Sequence, residues 1–185
     1  MIIQATPYGT KTEEPFAFTY SGDFTDSRVN GIGDVTLNTS GQLVTTGKTV
    51  IVSVYILGAG GGAAYYASSY GGTGGGGGNK TVEVTLEPGT YDIIIGSGGE
   101  AVTGANTAGK GGNTIAFNET CTGGEGATSH LIVSYNKGGA GGSPNGNAGV
   151  GGVSGSVSGG SPNGGSIVNN APQPGGNGLV RITFS

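Results

Sequence analysis

The sequence predicts a mainly β protein with essentially no α-helix. It reads as a small N-terminal antiparallel β module, residues 1–57, followed by a glycine-rich domain, residues 58–185, of β-strands and bundled polyglycine II helices. Three observations lead there. The 185 residues hold 44 glycines, several times the roughly 7% of ordinary domains. Apolar residues come in short runs with a period of two, the pattern of half-buried strands. Part of the glycine tract has a period of three, that of the polyproline II helix.

In the N-terminal part, residues 15–20, 34–37 and 42–45 read as strands, with turns at Ser21-Gly22-Asp23 and Asn30-Gly31. Residues 49–57 (TVIVSVYIL) place Val50, Val52, Val54 and Ile56 on one face, and residues 80–86 do the same with Val82, Val84 and Leu86. Glu87-Pro88-Gly89-Thr90 carries Pro and Gly at the central positions of a type II turn, which predicts a hairpin from 80–86 into 91–95. Shorter strands are expected at 115–117 and 131–135. The chain closes with Leu179 to Phe184, where Val180, Ile182 and Phe184 share a face.

Glycine frequency rises sharply at Gly58, and nothing between Lys137 and Arg181 is ionisable. Gly/Ser/Asn tracts of this kind are commonly flexible linkers. A linker, however, has no reason to end in an apolar strand. Gly146, Gly149, Gly152 and Gly155 fall in one phase of a three-residue period, and GGSPNG occurs at 141–146 and again at 159–164. A threefold helix has no internal hydrogen bonds, so its N–H and C=O groups must be satisfied by neighbours, and glycine at the contacts lets backbones approach. The four glycines are therefore expected to be structural, and Gly149 and Gly152 to resist alanine. Pro144, Asn145, Asn147, Pro162, Asn163, Asn169 and Asn170 mark turns and are expected at an exposed tip, where Asn145 and Asn163 should tolerate alanine.

Composition excludes several functions. Net charge −4 leaves no basic footprint for nucleic acid or anionic lipid. The first fifteen residues lack the apolar stretch of a signal peptide, and the longest apolar run, residues 50–57, is too short to span a bilayer. Synthesis in the cytoplasm without membrane insertion is expected. A lone cysteine, Cys121, removes internal disulfides and multi-thiolate zinc sites.

Gly58 to Ala63 and Gly96 to Ala101 fit the dinucleotide pattern G-x-G-x-x-A, but that site needs a helix whose N-terminus meets the phosphates, and no helix follows either. Gly47-Lys48-Thr49 imitates the end of a P-loop, with Gly41 one residue too far upstream. Cys121 and His130, with Asp92 as a conceivable orienting group, make a weak nucleophile pair. Asp23, Asp26 and Asp34 break the EF-hand spacing. No enzyme activity, cofactor or metal is expected. Tyr65, Tyr66 and Tyr70 lie between two glycine blocks, where tyrosine suits either binding or wedging between helices.

The order of elements then matters: VYILGAGGG, a run into GGGGGNKTVEVTLEPGTYDIIIGSGG, then GKGGNT, GGAGGSPNG and a closing GGNGLVRITF. This resembles the glycine-rich tail fibre and tail-tip proteins of bacteriophages. The opening FTYSGDFTD with GDVTLNTSGQLVTTGKTV is similar to the small β module that precedes the glycine block in such proteins. The resemblance implies a virion component, an adhesin or receptor-binding subunit whose stacked polyglycine II helices expose loops at one end. It implies other tail subunits and a glycan or protein receptor on the host surface as partners, and a homo-oligomer such as a trimer. It carries over no catalytic residues. Receptor contact is expected from Tyr65, Tyr66, Tyr70 and the Pro/Asn turn residues above. The alternatives are a purely structural tail or fibre connector and, third, an ice-binding glycine-rich protein.

Overall fold

The computed structural model describes residues 14–66, 70–153 and 155–185. Five strands come first: β1 (Ala17–Tyr20), β2 (Phe24–Asp26), β3 (Gly33–Leu37), β4 (Gly41–Thr46) and β5 (Val50–Leu57). Among the glycines follow β6 (Ala64–Tyr65) and β7 (Gly71–Gly72), then β8 (Asn79–Leu86) and β9 (Gly89–Ile93). The short β10 (Val102–Thr103), β11 (Thr114–Ala116), β12 (Glu119–Cys121), β13 (Gly151–Val153), β14 (Ile167–Val168) and β15 (Ala171–Pro172) precede the closing β16 (Leu179–Phe184). The helical content of the described residues is a single 3-10 turn, Val133–Tyr135.

An antiparallel sheet in the order β2-β3-β16-β5-β8 packs against a second in the order β1-β4-β9. Period-two alternation drives this, because each strand turns one face inward. Val35, Leu37, Val52, Val54, Ile56, Leu86, Val180 and Ile182 from the first sheet meet Leu43 and Ile93 from the second. Each buried side chain of this size contributes about 1.5–3 kcal/mol. The hairpin expected at 87–90 does not form: β8 pairs with β5 and β9 with β4, so the connection arches from one sheet to the other. Gly89 lacks the positive φ that a type II turn requires, and the Thr45 hydroxyl holds the arch by donating to the Glu87 carbonyl and accepting from the Gly89 N–H. Because β8, β9 and β16 complete these sheets, the compositional boundary at Gly58 does not divide the fold.

The base of the sandwich is closed by aromatic residues and one cation. The Arg28 guanidinium lies 4.6 Å from the Phe18 ring centre and 4.8 Å from that of Phe184. It also grips Asp26 with two hydrogen bonds, Nε to Oδ1 at 2.9 Å and Nη2 to Oδ2 at 2.7 Å. Those bonds hold the Asp26 carboxyl down at about 2, from an ordinary 3.8.

Beyond the other end of the sandwich the chain forms neither helix nor sheet over long stretches, and its central segments bond sideways to neighbouring segments instead. Residues 58–65 and 71–78 are buried throughout. Successive N–H groups of the first segment rotate among three neighbours. Gly58 and Gly61 donate to Gly78 and Gly75, Ala59 and Gly62 to Gly112 and Gly109, and Gly60 and Ala63 to Gly176 and Gln173. The second behaves alike: Gly74 and Gly77 donate to Gly165 and Pro162, Gly75 and Gly78 to Glu125 and Thr122, and Gly76 and Asn79 to Asn147 and Pro144. Each step of three residues on the donor matches three on the acceptor, running the opposite way. The glycines are there for clearance. A Cβ on Gly77 would run into the Gly58 carbonyl, on Gly74 into that of Gly61, and on Gly98 into that of Gly175.

Of the glycines singled out by phase, Gly146 and Gly149 sit at such contacts, against Gly142 and Thr73 respectively. Gly155 does not. Nothing lies within 4 Å of its would-be Cβ, and it is glycine for its φ of +80°. The surroundings of Gly152, in β13, lie outside the described residues.

Two measurements check this architecture. Gly77→Ala must displace the 58–63 segment and break several lateral bonds at once, so it is expected to cost more than about 4 kcal/mol or abolish folding. Gly155→Ala, which meets open space, should cost about 1–2 kcal/mol for the left-handed backbone, as read by urea melts. Because the folded carboxyl of Asp26 is depressed, its stabilisation is present above pH 3.8 and lost as pH falls through about 2. Arg28→Ala should return its NMR titration midpoint towards 3.8.

Candidate functional site

The turns that sequence reading assigns to one tip lie at two opposite ends. Both GGSPNG repeats adopt the same turn, each with a cis Ser-Pro bond, Asn145 and Asn163 at positive φ, and closing bonds from Gly146 N–H to Gly142 and from Gly164 N–H to Gly160. Both dock where the bundle meets the sandwich. The Pro144 carbonyl accepts from Asn79 and that of Pro162 from Gly77, and the nearby Asn147 carbonyl accepts from Gly76. Asn163 is built into the bundle: its Oδ1 accepts from the Gly77 N–H, while Nδ2 donates to the carbonyls of Gly58, Gly176 and Asn177. Asn145 Nδ2 donates to the Asn79 carbonyl. The expected tolerance of alanine at these two positions is therefore corrected, because their amides bond to backbone groups of other segments and their φ is left-handed.

The end farthest from the sandwich is organised by a small sheet in the order β10-β6-β7-β13. Tyr65, on β6, is buried with Ala63 and Ile167, so it wedges between segments and presents no contact surface. Tyr66 is half-buried, and its N–H donates to the Tyr70 carbonyl; residues 67–69 lie outside the described residues. Tyr70 is exposed. Asn169 and Asn170, both at positive φ, form the two-residue turn between β14 and β15, as type I′ hairpins demand. Asn170 also accepts from the Gly155 N–H at 2.7 Å.

Beside β13 lies the segment that sequence reading makes a strand, 131–135. It is instead a bend ending in the 3-10 turn, held by the His130 N–H to Asn136 Oδ1 at 2.5 Å and by the Ile132 N–H to His130 Nδ1 at 3.3 Å. The His130 ring stands edge-on to Tyr135 at 5.4 Å. Its apolar residues are not used as a strand would use them: Leu131 is 66% exposed, Tyr135 57% and Ile132 53%. Val150 and Val168 are exposed at the same end. Sequence reading missed all five, because apolar residues in a short run signal burial. With Tyr70 they make a rim on which residues 64–66, 70–72, 129–136, 150–153 and 166–172 carry no acidic side chain and no Lys or Arg.

Other chemical candidates are dispersed. Cys121 sits in the sandwich core, its Sγ 3.4 Å from the Ile56 carbonyl, and burial pushes its thiol up. His130 is at the far end, with the extended segment 122–128 between them, and Asp92 lies on β9. Among the described residues no group of three or more His, Cys, Asp or Glu is placed to hold a metal. Gly58 to Ala63 and Gly96 to Ala101 are spent on lateral backbone bonds, Gly60 to Gly176 and Gly99 to Gly60 among them. Among those residues, too, no helix is long and apolar enough to cross a membrane.

The fold is thus a β-sandwich that continues into a laterally bonded, glycine-rich bundle. A family model described as a glycine-rich domain matches residues 38–185, and the chain belongs to that family. No curated protein matches the chain.

The two asparagines give a graded test. Asn163→Ala, which removes four side-chain bonds and strains the backbone, should cost about 3 kcal/mol or more. Asn145→Ala should cost less, and Asn163→Gly should recover the part due to φ. Thermal melts of the three variants rank them.

Proposed function

We propose that the chain is a phage tail fibre or tail-tip protein, a virion component made in the host cytoplasm, whose glycine bundle carries a receptor-contact rim away from the sandwich. In this reading the threefold segments are polyglycine II helices. The observation that supports it is the rim itself. Leu131, Ile132, Tyr135, Val150, Val168 and Tyr70 are displayed in water at one end of a bundle that is otherwise glycine and amide, and exposed apolar clusters of this kind mark interaction sites. Tyrosines with amide-bearing turns offer both apolar area and adaptable hydrogen bonding for a protein or glycan receptor. The protein acts by binding, with no catalytic step. At the opposite end Val29, Ile32 and Ile51 are exposed around the aromatic base, a surface suited to a neighbouring tail subunit or a second copy. The same basal surface favours the runner-up, a structural connector with both ends covered in the particle.

Competition against adsorption of the parent phage separates the two. Free protein is expected to inhibit adsorption, and Tyr135→Ala or Leu131→Ser should raise the half-inhibitory concentration about tenfold, or about 1.4 kcal/mol of binding, with unchanged melting. Ile51→Ser at the base should leave inhibition intact. Free protein that does not compete at all favours the connector.

A further inference from the structure

The chain contains four Asn-Gly pairs: Asn30-Gly31, Asn145-Gly146, Asn163-Gly164 and Asn177-Gly178. Such a pair has an intrinsic covalent reaction. The glycine backbone nitrogen loses its proton and attacks the asparagine Cγ, a C–N bond forms, the side-chain amide C–N bond breaks, and ammonia leaves. Water then opens the resulting cyclic imide at either carbonyl, which yields aspartate or isoaspartate and one new carboxylate, with no change of oxidation state. The reaction needs a glycine N–H that is free and a side chain that can swing onto it.

Three of the pairs meet neither condition. The N–H groups of Gly146, Gly164 and Gly178 donate to the carbonyls of Gly142, Gly160 and Gly96 at 2.9, 2.8 and 2.8 Å. Their asparagines are held as well, Asn145 and Asn163 through Nδ2, and Asn177 through an Oδ1 that accepts from the Gly98 N–H at 2.9 Å. Asn30-Gly31 is different. It forms the tip of a two-residue turn closed by the reciprocal bonds between Val29 and Ile32. Neither the Gly31 N–H nor the Asn30 side chain has a partner among the described residues, and the space around Gly31 is open, with nothing within 4 Å of a would-be Cβ. We propose that Asn30 is a site of spontaneous deamidation in the folded protein and that the bundle protects the other three.

The product matters because of where the turn lies. Asn30 lines a cleft of about 340 Å³ at the base of the sandwich, with Arg28 and Lys48 on its wall. The exposed apolar residues Ile32 and Ile51 line it too, and exposed Val29 precedes Asn30 in the turn. A new carboxylate there places a negative charge beside two cations and within the apolar surface of the basal end. Deamidation would thus age that surface while leaving the bundle unchanged.

Peptide mapping tests this without reference to function. The full chain is incubated in mildly alkaline buffer, folded or in urea, then digested with trypsin. The Asn30 peptide ends at Lys48, while fragmentation of the 138–181 peptide resolves the other three. In urea all four should convert at comparable rates. In the folded protein Asn30 should keep close to its unfolded rate, and Asn145, Asn163 and Asn177 should slow by about tenfold or more, the factor imposed by an opening free energy of about 1.4 kcal/mol. Protection of Asn30 equal to that of the others overturns the proposal. So does conversion of any of the other three as fast as Asn30 in the folded chain.

Discussion

Everything beyond the sandwich depends on lateral N–H to C=O bonds between glycine segments. An extended threefold chain satisfies none of its own backbone groups, and ordering each residue costs about 1–2 kcal/mol, more at glycine. Net gains near 1 kcal/mol per hydrogen bond balance that only if nearly every group is paired. The rotation of donors from 58–63 onto 75–78, 109–112 and 173–176 achieves this. Where register leaves an N–H over, an asparagine carbonyl takes the place of a backbone one. Asn113 does so for Gly123, Asn177 for Gly98 and Asn170 for Gly155. No buried side-chain nitrogen or oxygen among the described residues lacks a partner.

The sandwich sets the register of that network. β5, β8 and β16 run directly into glycine segments at Gly58, Gly78 and Gly178, and Leu57 is paired with both Asn79 and Leu179 in the sheet. The next bond in line, from Gly58 to Gly78, continues the ladder into the bundle. Sandwich and bundle are therefore one cooperative structure: hydrophobic burial positions the first residues of each segment, and backbone bonding extends their alignment outward. A methyl group at Gly77 acts on this alignment and not merely on local volume.

The molecule thus has two ends with different chemistry. One is an aromatic base clamped by Arg28 between Phe18 and Phe184, and the other is an uncharged rim of tyrosine, aliphatic and amide side chains. In the proposed reading, two surfaces held apart by a hydrogen-bonded bundle suit a binding role, since a preformed display loses little entropy on contact. The glycines supply rigidity through density of backbone bonds, which is unusual for a residue more often associated with flexible linkers.

The sequence by itself determined the β class, most strands of the sandwich and the need for glycine at close contacts. It did so because period-two burial and the absence of a Cβ are local properties. Only the tertiary structure decided the partners. The chemistry of 87–90 reads as a hairpin, yet β8 pairs with β5 and β9 with β4 in different sheets, and Thr45, far away in sequence, bonds the arch between them. Asn145 and Asn163 read as an exposed tip, yet the bundle turns them against its own carbonyls. Tyr65 reads as a contact residue but is buried, while Leu131 and Ile132 read as a buried strand but stand in water. Which N–H meets which carbonyl depends on segments more than a hundred residues apart, as Gly60 and Gly176 are, and neither composition nor period encodes that pairing.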